Sequence, residues 1–190
     1  MSPIINGQTE LFGAPPALYE YYPVLVPDEA GMKNIVELHR LLVENGIRAS
    51  QLTKLPHISI DGVICPENDD KVIQDVSAFL SRHSPIHISF SDLGYFGSRN
   101  GLVIKLGIEN AESVIDFNKV FMEAIHGKVT KLNLHLTLAR YVSSDVYDRI
   151  KSWGLSLPDC FCGEVAIYKK PYKVKTSYDV IRRIGFGTTF

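Results

Sequence analysis

Apolar positions recur at alternating helix and strand periods along most of the chain. Tyr21 to Val26 is a short apolar run closed by Pro27 and reads as a strand. Asp28 then opens a helix whose Ile35, Leu38, Leu41 and Leu42 fall at helical spacing, and Asn45-Gly46 ends it. Leu55 to Asp61 reads as a strand. Pro66-Glu67-Asn68-Asp69 is an acidic helix start, continued by Val72, Val76, Phe79 and Leu80 to Arg82, and Ile86 to Ser91 reads as a strand.

The same order then recurs. Gly101 to Ile108 is a strand, Glu112 to His126 a helix ended by Gly127, Leu134 to Tyr141 a strand, Ser143 to Trp153 a helix and Cys162 to Tyr168 a strand. A closing strand over about Tyr178 to Ile184 has no counterpart in the first half. The chain thus predicts β-α-β-α-β twice, with halves of about 20–92 and 100–170. The halves share Thr-Lys-Leu, as Thr53-Lys54-Leu55 and Thr130-Lys131-Leu132. Internal duplication at this length implies a pseudo-twofold fold with a site where the halves meet. Residues 1–17, with Gly7, Gly13, Pro15 and Pro16 and no periodicity, read as a loose arm before a single domain over 18–190.

Composition narrows the function classes. The 190 residues carry 20 Lys+Arg against 21 Asp+Glu, a net charge of −1. That balance disfavours a protein that coats long nucleic acid by charge, but leaves room for a small nucleotide. No apolar run approaches the roughly 18 residues of a membrane span, and the N-terminus lacks the pattern of a secretory leader. Three cysteines without a pairing framework suggest a reducing, cytoplasmic setting. Cys160-Phe161-Cys162 reads as two small apolar side chains on a strand rather than as a metal or redox pair.

The chemistry lies in a repeated tetrapeptide, His57-Ile58-Ser59-Ile60 and His135-Leu136-Thr137-Leu138. On a strand, alternate residues share a face. Each copy therefore turns two aliphatics to a core and sets an imidazole beside a hydroxyl on the other face. Two such pairs can serve a phosphodiester: one imidazole takes a proton and the other gives one, while the hydroxyls of Ser59 and Thr137 bind phosphate oxygens. No metal or cofactor is called for. A third copy, His87-Ile88-Ser89-Phe90, lies in the fifth element of its half, whose equivalent strand lacks histidine. The repeat pairs His57 with His135 and leaves His87 as an ordinary strand residue.

These motifs resemble the 2H phosphoesterase superfamily, in its 2′-5′ RNA ligase (LigT-like) and cyclic phosphodiesterase branch. His135-Leu136-Thr137-Leu138-Ala139-Arg140 is close to that branch's His-x-Thr-Leu-x-Arg. Leu93-Gly94-Tyr95-Phe96-Gly97 resembles its glycine-flanked Phe turn, and Tyr178-Asp179-Val180-Ile181 its closing strand. The resemblance implies an α+β bilobal fold, with two antiparallel sheets related by pseudo-twofold duplication, helices outside and a central cleft. It also implies metal-independent hydrolysis of a cyclic phosphate or a 2′-5′ linkage, with His57 as general acid and His135 as general base. Ligation of RNA ends and nucleotide sensing without turnover are the alternatives. The expected partner is a small nucleotide or RNA end, with the protein a monomer off the membrane.

Strand alternation sets Arg140 on the face opposite His135 and Thr137, which favours a structural or rim role. Arg99, in the turn Gly97-Ser98-Arg99-Asn100-Gly101, is a possible phosphate contact or an exposed hairpin residue. Phe96, Tyr141 and Tyr172 are candidate base platforms. Tyr172 belongs to the one basic run, Lys169 to Lys175, which reads as a solvated loop or a backbone contact near the cleft.

Overall fold

A computed structural model describes residues 16–187, so all but two residues of the proposed N-terminal arm lie outside the described residues. The elements run β1 (Leu18–Pro27), α1 (Glu29–Glu44), a 3-10 turn (Ala49–Gln51), β2 (Ile58–Ser59), β3 (Val63–Pro66), α2 (Asp69–Leu80), β4 (Ile86–Ile88) and β5 (Phe90–Ser98). They continue with β6 (Gly101–Ile108), α3 (Ala111–Ala124), β7 (His135–Val142), α4 (Ser144–Lys151), β8 (Cys160–Pro171) and β9 (Asp179–Gly185). The fold is α+β. The strands pair antiparallel in the order β4-β8-β1-β2-β7-β6-β5, with β3 added to β1 and β9 to β8.

Local signals account for most boundaries. The Asp28 carboxylate accepts from Gly31 N at 2.8 Å and caps α1. Asn68 caps α2 in the same way through Lys71 N. Several strands depart from expectation, among them β3, which the sequence pattern does not announce, and the run Ile86 to Ser91, which divides between β4 and β5. Of the strand expected over Leu55 to Asp61, only Ile58–Ser59 is regular, because Pro56 has no N–H to give a ladder. Leu93 to Gly97 is not a turn but the middle of β5, with Gly94, Tyr95 and Phe96 opposite Lys105, Ile104 and Val103.

Two apolar cores lie on the outer side of the sheet. Tyr21, Leu25, Val165 and Ile167 meet α2 and α3 through Val76, Phe79, Val114 and Phe121. Ile104, Leu106, Leu136 and Leu138 meet α1 and α4 through Ile35, Leu38, Leu42 and Ile150. Each lobe draws on both halves of the chain. β8 enters the first lobe between β4 and β1, while α1 covers strands of the second. The two half-sheets expected of a duplicated fold stay hydrogen-bonded through β2, where Ile58 pairs with both Leu25 and Leu136. Among the described residues no helix is long and apolar enough to cross a membrane.

Candidate active site

The two histidine motifs meet at the junction of the lobes. Ile58 pairs antiparallel with Leu136. That register sets His57 opposite Thr137 and Ser59 opposite His135, leaving the histidines as diagonal neighbours about 7–8 Å apart. The two motifs are arranged alike on either side of the Ile58–Leu136 pair. Both aliphatics are fully buried in the cores, while the imidazoles and hydroxyls share the opposite, cleft-facing side.

The two imidazoles are held alike. His57 Nδ1 lies 2.8 Å from the Leu55 carbonyl, and His135 Nδ1 lies 2.6 Å from the Asn133 carbonyl, each two residues upstream. A carbonyl oxygen can only accept, so Nδ1 carries the proton in both rings and Nε2 keeps its lone pair. Ring contacts fix the planes: Tyr168 sits 5.8 Å from His57, and Phe96 packs edge-on at 4.8 Å from His135.

Burial pushes both imidazoles below their ordinary value near 6.5, against the pull of the backbone carbonyls. Arg140 pushes both in the same direction, Lys105 adds to this at His135, and the His135 charge adds to it at His57. Cations thus gather around His135 and Arg140. Among the described residues, no carboxylate ion-pairs with Arg140 or Lys105. That field suits an anion.

Arg140 corrects the alternation argument. On β6, Ile104 and Lys105 are adjacent, yet their partners Ala139 and Thr137 are two residues apart on β7. The extra residue is a β-bulge, so Leu138 and Ala139 both face the core and Arg140 returns to the side of His135 and Thr137. Tyr141, at φ 61°, absorbs a second irregularity before Val142 returns to the core.

The remaining candidates separate. Phe96 is brought to His135. Arg99 sits at the β5–β6 hairpin tip, about 13 Å or more along β6 from the Lys105–Thr137 pair. Tyr172 donates its amide to the Leu18 carbonyl at 2.9 Å. It therefore lies about 20 Å along β1 from the Val24–Ser59 pair. His87 is on the outer edge strand β4, 3.2 Å from Asp159. Cys160 and Cys162 are buried, reduced side chains facing the first core, and burial pushes the Cys160 thiol up to about 12.

Lys105 and Tyr168 were not singled out from the sequence. Lys105 had a signal, as the one charge inside the apolar run Leu102 to Ile108. Tyr168 had none beyond ending a strand.

The repeated Thr-Lys-Leu segments brace the motifs reciprocally. Thr53, upstream of His57, donates its amide to the Leu138 carbonyl of the other motif at 2.9 Å. Thr130, upstream of His135, donates its amide to the Asp61 carboxylate at 2.9 Å and its hydroxyl to the same group. Asn118 of α3 donates to Asp61 at 2.8 Å and accepts the Asp61 amide at 3.0 Å. Asp61 follows directly on the first motif, so this buried knot ties both histidine segments together.

A family model described as the 2′-5′ RNA ligase superfamily matches residues 28–161. No curated protein sequence matches the chain. Among solved structures, E. coli LigT complexed with NADP+ is similar over 90% of this chain and 99% of its own, at TM-score 0.55 and 13% identity. The apo form of E. coli LigT is similar over 89% and 98%, at TM-score 0.54 and 13% identity. Its complex with 3′-AMP covers 90% and 98%, at TM-score 0.52 and 13% identity.

Proposed function

Since the chain belongs to the 2′-5′ RNA ligase superfamily of 2H phosphoesterases, we propose that it is a metal-independent phosphodiesterase. Its substrate is a small nucleotide carrying a 2′,3′-cyclic phosphate, another cyclic phosphodiester or a 2′-5′ linkage. The observation that carries this reading is the matched pair of Nδ1–carbonyl bonds, which leaves two Nε2 atoms free on one face beside two hydroxyls. The nucleotides held by E. coli LigT, among them 3′-AMP and ATP, agree with a ligand of this size.

Ser59 and Thr137 donate to non-bridging oxygens, and Arg140 supplies a charge-assisted contact. His135 Nε2 takes the proton of the attacking water. Protonated His57 gives its Nε2 proton to the departing ribose oxygen on the opposite side of phosphorus. Water forms the new P–O bond, the P–O bond to the leaving oxygen breaks, and the proton inventory of the two rings is exchanged. Burial and Arg140 lower both rings and Lys105 lowers His135 further; the acid–base order itself is taken from the family resemblance.

The test is a panel of 2′,3′-cyclic mononucleotides, 2′-5′ oligoadenylate and cyclic dinucleotides, with wild type, His57→Ala and His135→Ala, in EDTA. Turnover that survives EDTA and falls by about 10²-fold or more in each variant supports the reading. Full activity in either variant, or joining of a cyclic phosphate to a 5′-hydroxyl without hydrolysis, would sink it.

A further inference from the structure

The cleft is electrically lopsided. Lys105 stands toward His135 and Arg140 acts on both rings, whereas the His57 side opens into a cavity of about 330 Å³ that holds carboxylates. Its lining includes Met32, Leu55 and Tyr168, the Glu164–Arg183 pair and the Asp28-Glu29 start of α1. β8 presents Glu164, Ala166 and Tyr168 to the cleft, while Val165 and Ile167 face the core. Arg183 of β9 is in register with Ala166, and its guanidinium lies 3.6 Å from the Glu164 carboxylate. The cavity therefore combines an aromatic wall beside His57 with one guanidinium and one carboxylate side by side.

We infer that this cavity receives the nucleoside on the leaving-group side of the substrate and selects guanine through Glu164 and Arg183. The inference rests on the phosphodiesterase reading and adds the identity of the base. Carboxylates repel a second phosphate, so an uncharged group with hydrogen-bond donors belongs here. The volume is at the lower end of small-ligand pockets and suits one nucleoside. Guanine's Watson–Crick edge runs O6 acceptor, N1–H donor, N2–H donor. A guanidinium beside a carboxylate offers the complementary order of donor, acceptor, acceptor. Adenine and the pyrimidines cannot present that order, and a mismatched base that covers the half-exposed Glu164–Arg183 pair would leave its polar atoms unpaired. Position agrees with the chemistry as well. In a 2′,3′-cyclic phosphate the leaving oxygen belongs to the ribose itself, so protonation by His57 draws the nucleoside toward this side.

The test compares guanosine and adenosine 2′,3′-cyclic phosphates by kcat/KM, and 3′-GMP and 3′-AMP by calorimetric binding. Wild type, Glu164→Gln and Arg183→Met are each measured, with bis(4-nitrophenyl) phosphate as a substrate lacking a base. The expected result is a guanine preference of about 10-fold or more in both measurements, lost in either variant while hydrolysis of the base-free ester is unchanged. Equal treatment of the two bases, or a guanine preference that survives Glu164→Gln, overturns the inference. Binding of 3′-GMP reads it without turnover. Absence of hydrolysis on every ester therefore counts against the phosphodiesterase, while guanine-selective binding would still uphold the pocket.

Discussion

Replacing Asp61 by Ala tests whether the buried knot holds the two motifs together. Asp61 is 7% exposed, and its carboxylate takes three donors, the Asn118 amide, the Thr130 N–H and the Thr130 hydroxyl. Alanine strands all three in a buried place. An unsatisfied buried group costs about 1–3 kcal/mol, so the sum is about 4 kcal/mol after partial access of water. In a chain of 190 residues each kcal/mol moves Tm by roughly 2–4 °C, which gives a fall of roughly 10 °C. Asp61→Asn keeps the shape: its amide oxygen can accept the two N–H donors and its NH2 can meet the Thr130 oxygen, so about 1 kcal/mol is lost. Function separates a brace from mere bulk. Both histidine segments hang on this knot, and small misplacements of reacting groups cost up to about 10²-fold. Well below the transition, Asp61→Ala should lower kcat on a 2′,3′-cyclic nucleotide about 10-fold or more with a smaller change in KM, and Asp61→Asn should restore most of it. Urea unfolding and steady-state kinetics on the three proteins provide the measurement. A loss under 1 kcal/mol, or wild-type kcat in folded Asp61→Ala, would refute the reasoning.

Arg140→Met should reduce kcat/KM about 10- to 100-fold, the value of a charge-assisted hydrogen bond to phosphate. It should also move the pH optimum upward, because the cation that disfavours protonation of both rings is gone; an unmoved optimum contradicts the bulge assignment. Lys105→Met should raise the His135 pKa alone, read from imidazole C–H resonances during a pH titration, and a larger rise at His57 would place the cation wrongly. His39, His57 and His135 all lie below 6.5 when folded. The unfolded chain therefore takes up protons first, and stability present above about pH 6.5 should be lost as pH falls through the folded values. Denaturant midpoints from pH 8 to 5 check this, and a midpoint rising toward pH 5 would reverse the sign.

The sequence was a good guide where one rule acts locally. Caps at Asp28 and Asn68, the helical faces and the paired His-x-Ser/Thr motifs are each encoded within a few residues. It failed where a partner strand decides. Alternation misplaced Arg140 because the extra residue at Leu138 exists only relative to β6, and no residue in His135 to Arg140 announces it. Phe96 lies against His135, but in a strand rather than the turn its flanking glycines suggest. Two glycines mimic a loop in sequence, while the ladder to Lys105, Ile104 and Val103 makes them strand. Arg99 and Tyr172 carried suitable chemistry, yet they lie far along their strands from the motifs. Reach along a strand is invisible without its register.

The exchange of elements between lobes gives the two Thr-Lys-Leu segments a common task. β2 has only two residues, too few to define a register by hydrogen bonds alone, yet a slip of one residue would turn His57 and Ser59 into the core. Something outside the strand must fix it. Thr53 does so from one side, bonding the Leu138 carbonyl at the bulge that also aims Arg140. Thr130 does so from the other through Asp61. Each histidine motif is thus held by the segment that leads into its counterpart, and neither half of the chain can assemble its own imidazole without the other. The histidine diagonal forms only when both lobes close on β2, which couples the geometry of the candidate site to the folding of the whole domain.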